Sequence, residues 1–172
     1  MHIILANTVK EKSRDAMSDI LNTAVFIGHN ECYGVSAQQV EQAIIALINK
    51  GVTVFMSGGQ GGFDRLCAAC VHRLKKQYPH IVNCLVIPYL TFTVFNKDIF
   101  DDVIYPDGFE KYHFKAAIPA RNKYMVDNAA FAICYVTHGW GGAAKTYERA
   151  VKKKLNVLNG CRNIWVLRKP LE

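Results

Sequence analysis

The stretch SGGQGGFD at residues 57–64 constrains the fold of this chain more than any other feature of its sequence. It follows an apolar, β-branched run at residues 52–56, which predicts a buried parallel strand. Residues 65–74 then carry apolar side chains at helical spacing. A strand, a glycine-rich turn and a helix in this order can bind phosphate, because glycines let the backbone approach a ligand and the helix N-terminus offers free N–H groups. The same pattern also fits a tight turn without a ligand.

Strands and helices alternate along most of the chain. Besides the strand at residues 52–56, four apolar runs predict buried strands at residues 24–27, 81–87, 129–136 and 155–158. Ser36 is the expected N-cap of the first helix between them, and residues 164–167 fit an extra edge strand. The pattern predicts an α/β protein, a Rossmann-like three-layer sandwich with a mostly parallel sheet covered by helices on both faces. We assign residues 24–172 to a single Rossmann-like domain and residues 1–23 to an N-terminal arm or short helix.

Residues 89–117 interrupt this alternation, since they show no helical or strand periodicity. An irregular segment of this length in a compact domain is usually a lid or pocket wall, or is disordered. Eight aromatic residues between Tyr89 and Phe114 argue against disorder. We expect the next helix to begin near Pro119, because proline is favoured in the first turn of a helix.

Cysteine usage and hydropathy indicate a cytoplasmic protein. The 172-residue chain contains six cysteines and is long enough to form a core without disulfides. Cys67 and Cys70 form a CxxC, but they lie a turn inside an apolar helix face and lack a second ligand pair for zinc. We therefore interpret them as core residues and expect no metal site. No apolar run is long enough to span a bilayer, so no membrane partner is expected.

The positive charge is concentrated near the C-terminus. The net charge is +7, and the segment from Lys145 to Glu172 holds eight basic and two acidic residues. A solvated helix face and tail explains this charge most simply, and attraction for nucleotide phosphates or nucleic acid is the functional alternative. No nucleic-acid motif favours the second explanation, so nucleic acid is the less favoured partner.

Three turns are expected to meet at one edge of the sheet. Ligands of parallel sheets bind at the carboxyl ends of the strands, where the first glycine turn, a second one at residues 139–142 and a corner after the first strand all fall. The glycine spacing is neither the GxGxxG fingerprint nor a Walker A loop, which needs a lysine. Three strand ends that converge on one crevice favour a ligand at this edge over turns that serve the fold alone, and no cofactor is required.

Three motifs occur in order, Ser57-Gly58-Gly59-x-x-Gly62-x-Asp64, Arg121-Asn122-x-x-Met125-Val126-Asp127, and Gly141-Gly142 before a helix. With them the chain resembles the SLOG superfamily of Rossmann-like proteins over about residues 24–158. Its layout is most similar to the YpsA-like proteins, and more distantly to the LOG (lysine-decarboxylase-like) phosphoribohydrolases and the DNA-processing protein A family. The resemblance implies that residues 24–172 form a nucleotide-binding domain, a sensor or regulatory module for a nucleotide or a nucleotide-derived molecule. Taken with the three turns, it gives the candidate binding residues Gly28, His29, Ser57, Gly58, Gly59, Gly61, Gly62, Asp64, Arg121, Asn122, Gly141, Gly142 and Thr146. We also consider a homo-oligomer, a dimer or higher.

Residues 141–148 are similar to the motif GGxGTxxE of the LOG enzymes, with Ala144 and Lys145 in place of Gly and Thr. Those enzymes cleave the N-glycosidic bond of a nucleoside monophosphate. The resemblance implies that Glu148 stabilises the oxocarbenium-like state and that Arg121 orients the phosphate or ribose. Glu148 is explained equally well as an acid that pairs with a lysine one helical turn later. Because the motif is imperfect, binding is the first hypothesis and a phosphoribohydrolase-like enzyme is the alternative.

Overall fold

The computed structural model describes residues 12–160 and 166–168 of the chain. Its helices are α1 (Lys12–Leu21), α2 (Ala37–Ile48), α3 (Gly62–Leu74), α4 (Phe114–Asp127) and α5 (Gly142–Lys152), with 3-10 turns at Lys97–Ile99 and Phe109–Lys111. Its strands are β1 (Thr23–Gly28), β2 (Val54–Ser57), β3 (Val82–Val86), β4 (Asp102–Ile104), β5 (Phe131–Tyr135), β6 (Asn156–Asn159) and β7 (Val166–Arg168). Within the described residues, these strands form one sheet in the order β4-β3-β2-β1-β5-β6-β7. All neighbouring strands are parallel except β6 and β7, which are antiparallel.

Helices cover both faces of this sheet and produce the three predicted layers. Along β1 the side chains alternate between the faces, as strand geometry requires. Ala24 and Phe26 pack in a cluster with α2 and α3, whereas Val25 and Ile27 pack in a cluster with α4 and α5. Each large apolar side chain buried in this way contributes about 1.5–3 kcal/mol. The predicted Rossmann-like α/β class with a mostly parallel sheet is confirmed.

Two local features of α2 and α3 agree with the predictions made from the sequence. Ser36 Oγ accepts a hydrogen bond from the Gln39 N–H at 3.2 Å, and Gln39 Oε1 accepts one from the Ser36 N–H at 2.8 Å, which completes a capping box. Cys67 and Cys70 are buried in the cluster between α2 and α3, as predicted. Burial raises the pKa of the Cys70 thiol to about 11, so this sulfur stays protonated and packs as a small apolar group.

The segment at residues 89–117 is more regular than predicted. It contains β4, and α4 begins at Phe114 rather than near Pro119. Asn83 Nδ2 donates to the Ile99 carbonyl at 2.9 Å and the Asn83 N–H donates to Asp101 Oδ2 at 2.7 Å, which holds the chain before β4 against β3. Because these contacts are long-range, no local pattern indicates the strand. Pro119 lies in the second turn of α4, where it removes one backbone hydrogen bond without ending the helix.

Two terminal predictions fall partly outside the described residues. Of the predicted N-terminal arm or short helix, residues 12–21 form α1, and residues 1–11 lie outside the described part. The edge strand expected at residues 164–167 corresponds to β7 from Val166 onward, and residues 161–165 lie outside the described part. The division at residue 23 stays a prediction. None of the helices in the described residues is both long and apolar enough to cross a bilayer.

Candidate functional site

A cavity of about 550 Å³ opens at the carboxyl end of β1. Its walls are the end of β1, the glycine loop before α3, one face of α4 and the N-terminus of α5. This is the sheet edge at which the three turns were predicted to meet. Eight of the predicted binding residues line it, namely Gly28, His29, Gly61, Asp64, Arg121, Asn122, Gly142 and Thr146.

The other five predicted binding residues lie close to this cavity without lining it. Gly59 lines a neighbouring cavity together with residues 92–95. Gly141 lines two others, one that also includes His29 and Asn30 and one that it shares with Gly142 and Lys145. Ser57 is the last residue of β2, Gly62 is the first residue of α3, and Gly58 lies in the loop between them. At Gly58 and Gly62 close packing requires a glycine.

Arg121 is only 2% exposed and holds the glycine loop in place. Its Nη1 donates to the Gly58 carbonyl at 2.6 Å and to the Val86 carbonyl at 3.2 Å, and its Nη2 donates to Gln60 Oε1 at 3.2 Å. A Cβ on Gly58 would lie 2.5 Å from Arg121 Cζ, so the guanidinium occupies the space of a side chain there. The arginine therefore joins the loop after β2 to the end of β3. Its role toward a phosphate or ribose stays a prediction.

Asp64 contacts the same loop from the first turn of α3. Its Oδ2 accepts a hydrogen bond from the Gln60 N–H at 3.1 Å. Burial raises the pKa of Asp64 to about 6, although hydrogen bonds from the Gln60 and Gly58 backbone and the charge of Arg121 act in the opposite direction. Burial likewise lowers the pKa of Arg121, and the charge of Asp64 opposes that change. The two groups therefore stabilise each other's charge in a site that water barely reaches.

The first N–H group of α3 is already bonded to the protein. The Gly62 N–H donates to the Asn30 carbonyl at 3.1 Å and to Asn30 Oδ1 at 2.9 Å. A Cβ on Gly62 would lie 2.2 Å from the Asn30 carbonyl oxygen, and one on Gly28 would lie 2.2 Å from the ring of Phe63. Both glycines are thus required for the close approach of the loop after β1 to α3. Much of the first glycine turn is explained by packing.

The N-terminus of α5 is open by contrast. Its N-cap is Gly141, with φ 90°, which supplies no side-chain hydrogen bond. A Cβ added at Gly141 or Gly142 would meet nothing within 4 Å. Gly142 and Ala143 line the cavity together with Thr146, whose Oγ1 donates to the Gly142 carbonyl at 2.8 Å. Uncapped N–H groups and the positive end of the helix dipole therefore face the cavity.

Sequence reasoning missed three polar residues that line the cavity, Asn30, Gln60 and Arg65. Arg65 is exposed in the first turn of α3. Among the described residues its guanidinium has no hydrogen-bond or ion-pair partner. It is therefore a cation available to an anion that also contacts the N-terminus of α5. Its place directly after Asp64 in the first motif was the signal that could have identified it.

Glu148, predicted as a catalytic residue, does not line the cavity. It is exposed on α5, in a shallow surface depression that it shares with Lys145, Arg149, Lys152 and Lys153. The carboxylate that does line the cavity, within the described part of the chain, is Asp64. A catalytic role for Glu148 stays a prediction. The described residues also contain no group of three histidine, cysteine or acidic side chains able to hold a metal ion.

Comparison with known families identifies the group to which the chain belongs. The model of the YpsA family, described as the YspA SLOG family, matches residues 21–159. The chain belongs to the YpsA family of SLOG proteins. The matched region contains the whole cavity, from β1 through α5.

Two relatives resemble this YpsA-family chain at low identity. The SPbeta prophage-derived protein YoqJ of Bacillus subtilis is 27% identical over 142 residues, covering 68% of this chain and 83% of the relative. The UPF0398 protein BH1768 of Halalkalibacterium halodurans is 27% identical over 124 residues, covering 66% of each chain.

Solved structures show the same fold. DNA processing protein A from Streptococcus pneumoniae superimposes with a TM-score of 0.60 at 21% identity, covering 84% of this chain and 51% of that one. DNA processing protein A from Helicobacter pylori, whose structure concerns its binding of single-stranded DNA, gives a TM-score of 0.58 at 16% identity, covering 84% and 67%. The YpsA-family chain thus spans about half of the Streptococcus protein, and at these identities the likeness concerns the fold.

Proposed function

We propose that this YpsA-family protein binds a nucleotide or nucleotide-derived ligand in the 550 Å³ cavity, as a sensor or regulatory module that does not turn the ligand over. The observation that carries the proposal is the uncapped N-terminus of α5, which faces the cavity through Gly142 and Ala143. Helix N-termini bind phosphate through free N–H groups and the helix dipole. Arg65 lines the same cavity, and its guanidinium has no competing partner in the described part of the chain. No further cofactor is proposed.

The dimensions of the cavity support a ligand of this class. Its volume of about 550 Å³ lies in the range of small-molecule sites, which is roughly 300–1,000 Å³. Apolar side chains from β1 and α4, including Ile27, Ile118 and Met125, form one part of the wall. Asn122 and Gln60 add amide groups able to bond ribose hydroxyls.

The proposal is tested by placing a negative charge where the phosphate would lie. Gly142→Asp meets no steric obstacle, and an acid in the first turn of α5 stabilises the helix. We therefore expect an unchanged or higher melting temperature together with at least about tenfold weaker binding of ribose 5-phosphate and AMP, measured by calorimetry. Gly139→Asp is the matched control, because it adds the same charge in open space outside the cavity. Equal affinities for Gly142→Asp and the wild type would contradict the phosphate site.

The alternative is a phosphoribohydrolase-like enzyme, which would release a free base from a nucleoside monophosphate. That reaction needs a carboxylate beside the ribose, and Glu148 lies outside the cavity. We expect that the protein releases no adenine from AMP. Chromatography of the incubation mixture should show no more adenine than a control without protein. Release that is lost in Glu148→Gln would instead support the enzyme, and release lost only in Asp64→Asn would move the catalytic role to the carboxylate that lines the cavity.

Nucleic acid is the second candidate ligand. DNA processing protein A from Helicobacter pylori, which has a similar fold, binds single-stranded DNA. In this chain the exposed aromatic residues Tyr33, Phe95 and Trp140 line cavities on either side of the central one, and aromatic rings can stack with unpaired bases. The uncapped N-terminus of α5 forms part of the wall of the central cavity, which favours a ligand with one phosphate group.

A further inference from the structure

Three aromatic rings form a continuous stack at the carboxyl ends of β1 and β5. The rings of His29 and His138 are 3.7 Å apart with an interplanar angle of 18°, and those of His138 and Trp140 are 3.7 Å apart at 19°. The stack joins the corner after β1 to the loop before α5. Trp140 ends it, with one ring face against His138.

The outer end of this stack is open to solvent. Trp140 is 73% exposed, and Tyr33, on the loop after β1, is 94% exposed. Leaving two large aromatic rings in water forgoes the free energy that their burial would supply. His29 Nε2 and His138 Nδ1, in contrast, are buried and have no hydrogen-bond partner among the described residues. Buried polar atoms without a partner are rare in native proteins and call for a physical reason. The packing of this chain alone supplies none for either feature.

Trp140 and Tyr33 line the same cavity, which has a volume of about 450 Å³. His29, His138 and Glu31 also line it, so the cavity has polar as well as aromatic walls. It is adjacent to the proposed phosphate site, because His29 and Asn30 line both cavities. The connection is also covalent, since Trp140 immediately precedes Gly141, the N-cap of α5. A ligand whose phosphate lies on α5 can therefore reach Trp140 with its other end.

We propose that the cavity between Tyr33 and Trp140 is a nucleobase site, in which the base of the bound nucleotide stacks on the free face of Trp140. This inference rests on the proposed function, because it assigns the second half of the same ligand. Indole and imidazole rings already stacked in order form a rigid platform, so little conformational entropy is lost when a base joins them. A purine covers more of the indole face than a pyrimidine does, and the site therefore prefers purine nucleotides.

A lowered pKa keeps His29 uncharged within the stack. Burial and the neighbouring His138 lower the pKa of His29, against a smaller opposite effect of its hydrogen bond to the His138 backbone. A neutral imidazole stacks against its neighbours without the cost of burying a charge. A base on the free face of Trp140 lies across the indole from both imidazoles, so the two histidine rings support the stack and do not contact the base.

The test measures base and phosphate binding separately. The chain has two tryptophans, Trp140 and Trp165, and Trp165→Phe leaves Trp140 as the single reporter. AMP and GMP are expected to quench Trp140 fluorescence, and ribose 5-phosphate is expected to bind by calorimetry without quenching. Trp140→Ala should weaken AMP and GMP binding by about 5- to 100-fold, the usual range for losing one base–aromatic stack, and should leave ribose 5-phosphate unchanged. The matched variant Trp140→Phe keeps a stacking ring and should lose less affinity.

The outcomes separate the two proposals. If Gly142→Asp abolishes ribose 5-phosphate binding but Trp140→Ala leaves AMP and GMP affinity unchanged, the nucleobase site is wrong and the phosphate site stands. If AMP quenches Trp140 while ribose 5-phosphate does not bind and Gly142→Asp has no effect, the nucleobase site stands and the phosphate site is wrong. A Trp140→Ala variant that weakens ribose 5-phosphate as much as AMP overturns the nucleobase site, because the loss then does not involve the base.

Discussion

At the scale of single residues, two arginines near the cavity have opposite roles. Arg121 is buried and bonded to the Gly58 and Val86 carbonyls and to Gln60. Arg65 is exposed, and its guanidinium has no partner among the described residues. The planar guanidinium of Arg121 suits its buried position because it donates to several acceptors at once. We therefore expect Arg121 to act mainly on the stability of the site and Arg65 mainly on the ligand.

This difference predicts opposite results for matched substitutions. Arg121→Met leaves the Gly58 and Val86 carbonyls without their donor and Asp64 without its neighbouring cation, so we expect the free energy of unfolding in urea to fall by about 3–5 kcal/mol. Arg65→Met should change it by less than about 0.5 kcal/mol, as surface substitutions do, while weakening ribose 5-phosphate binding. The assignment of roles is wrong if Arg121→Met is as stable as the wild type or if Arg65→Met binds the sugar phosphate normally.

At the scale of elements, α5 must be held in place if its N-terminus is to face the cavity. Asp127 at the end of α4 performs this task. Arg149 Nη2 donates to its two carboxylate oxygens at 2.6 and 2.7 Å, and Arg149 Nε donates to Oδ1 at 3.0 Å. Burial raises the pKa of Asp127, but the hydrogen bonds from Arg149 and Lys123 outweigh it, and the pKa lies below its ordinary value.

Asp127→Asn is therefore expected to reduce stability in a pH-dependent way. At pH 7 the variant should be about 1–2 kcal/mol less stable, because it loses a charge-assisted pair that is partly exposed. A lowered folded-state pKa adds stability above the unfolded value of 3.8, and this contribution disappears as the pH falls through the folded value. The difference in unfolding free energy between wild type and variant, measured in urea titrations, should thus disappear as the pH falls below 3.8. Lys123→Ala, which removes an exposed partner, is the control and should cost under about 0.5 kcal/mol. A difference in stability that stays constant with pH would contradict this role of the charged pair between Asp127 and Arg149.

The elements also show what sequence alone could predict. β1, β2 and β5 were predictable because burial on both faces requires continuous apolar runs, and the start of α2 was predictable from Ser36. β4 was not, since it depends on contacts that Asn83 makes with residues far along the chain. The candidate site was likewise predictable only in part. The sequence predicted the converging turns, but the packing of Gly28 against Phe63 and of Gly58 against Arg121 is visible only in three dimensions.

At the scale of the whole molecule, the question is which charged ligand the basic surface attracts. The net charge is +7, and the basic residues of α5 include Lys145, Arg149 and Lys152. Arg149 is already paired with Asp127, and Lys152 lies beside Glu148 in a surface depression. Lys145 lies in the same depression and also lines a small cavity with Gly141, Gly142 and Thr146 at the N-terminus of α5. The positive charge near the proposed phosphate site is therefore provided by Arg65, Lys145 and the helix dipole. That arrangement suits one phosphate group better than a chain of phosphates.

Salt dependence distinguishes these two kinds of ligand. Single-stranded nucleic acid releases condensed counterions on binding, and log K falls with log salt concentration at a slope of about −0.7 for each phosphate neutralised. A mononucleotide has no such counterion atmosphere, so we expect AMP affinity to change only a few-fold between 50 and 300 mM salt, roughly as screening of one close charge pair allows. Oligothymidylate should bind more weakly than AMP, and AMP should not displace it from the basic surface. Oligothymidylate that binds more tightly than AMP, with a slope of about −2 or steeper, and that loses affinity in Trp140→Ala would make single-stranded nucleic acid the ligand, because the same aromatic stack would then serve successive bases along a strand.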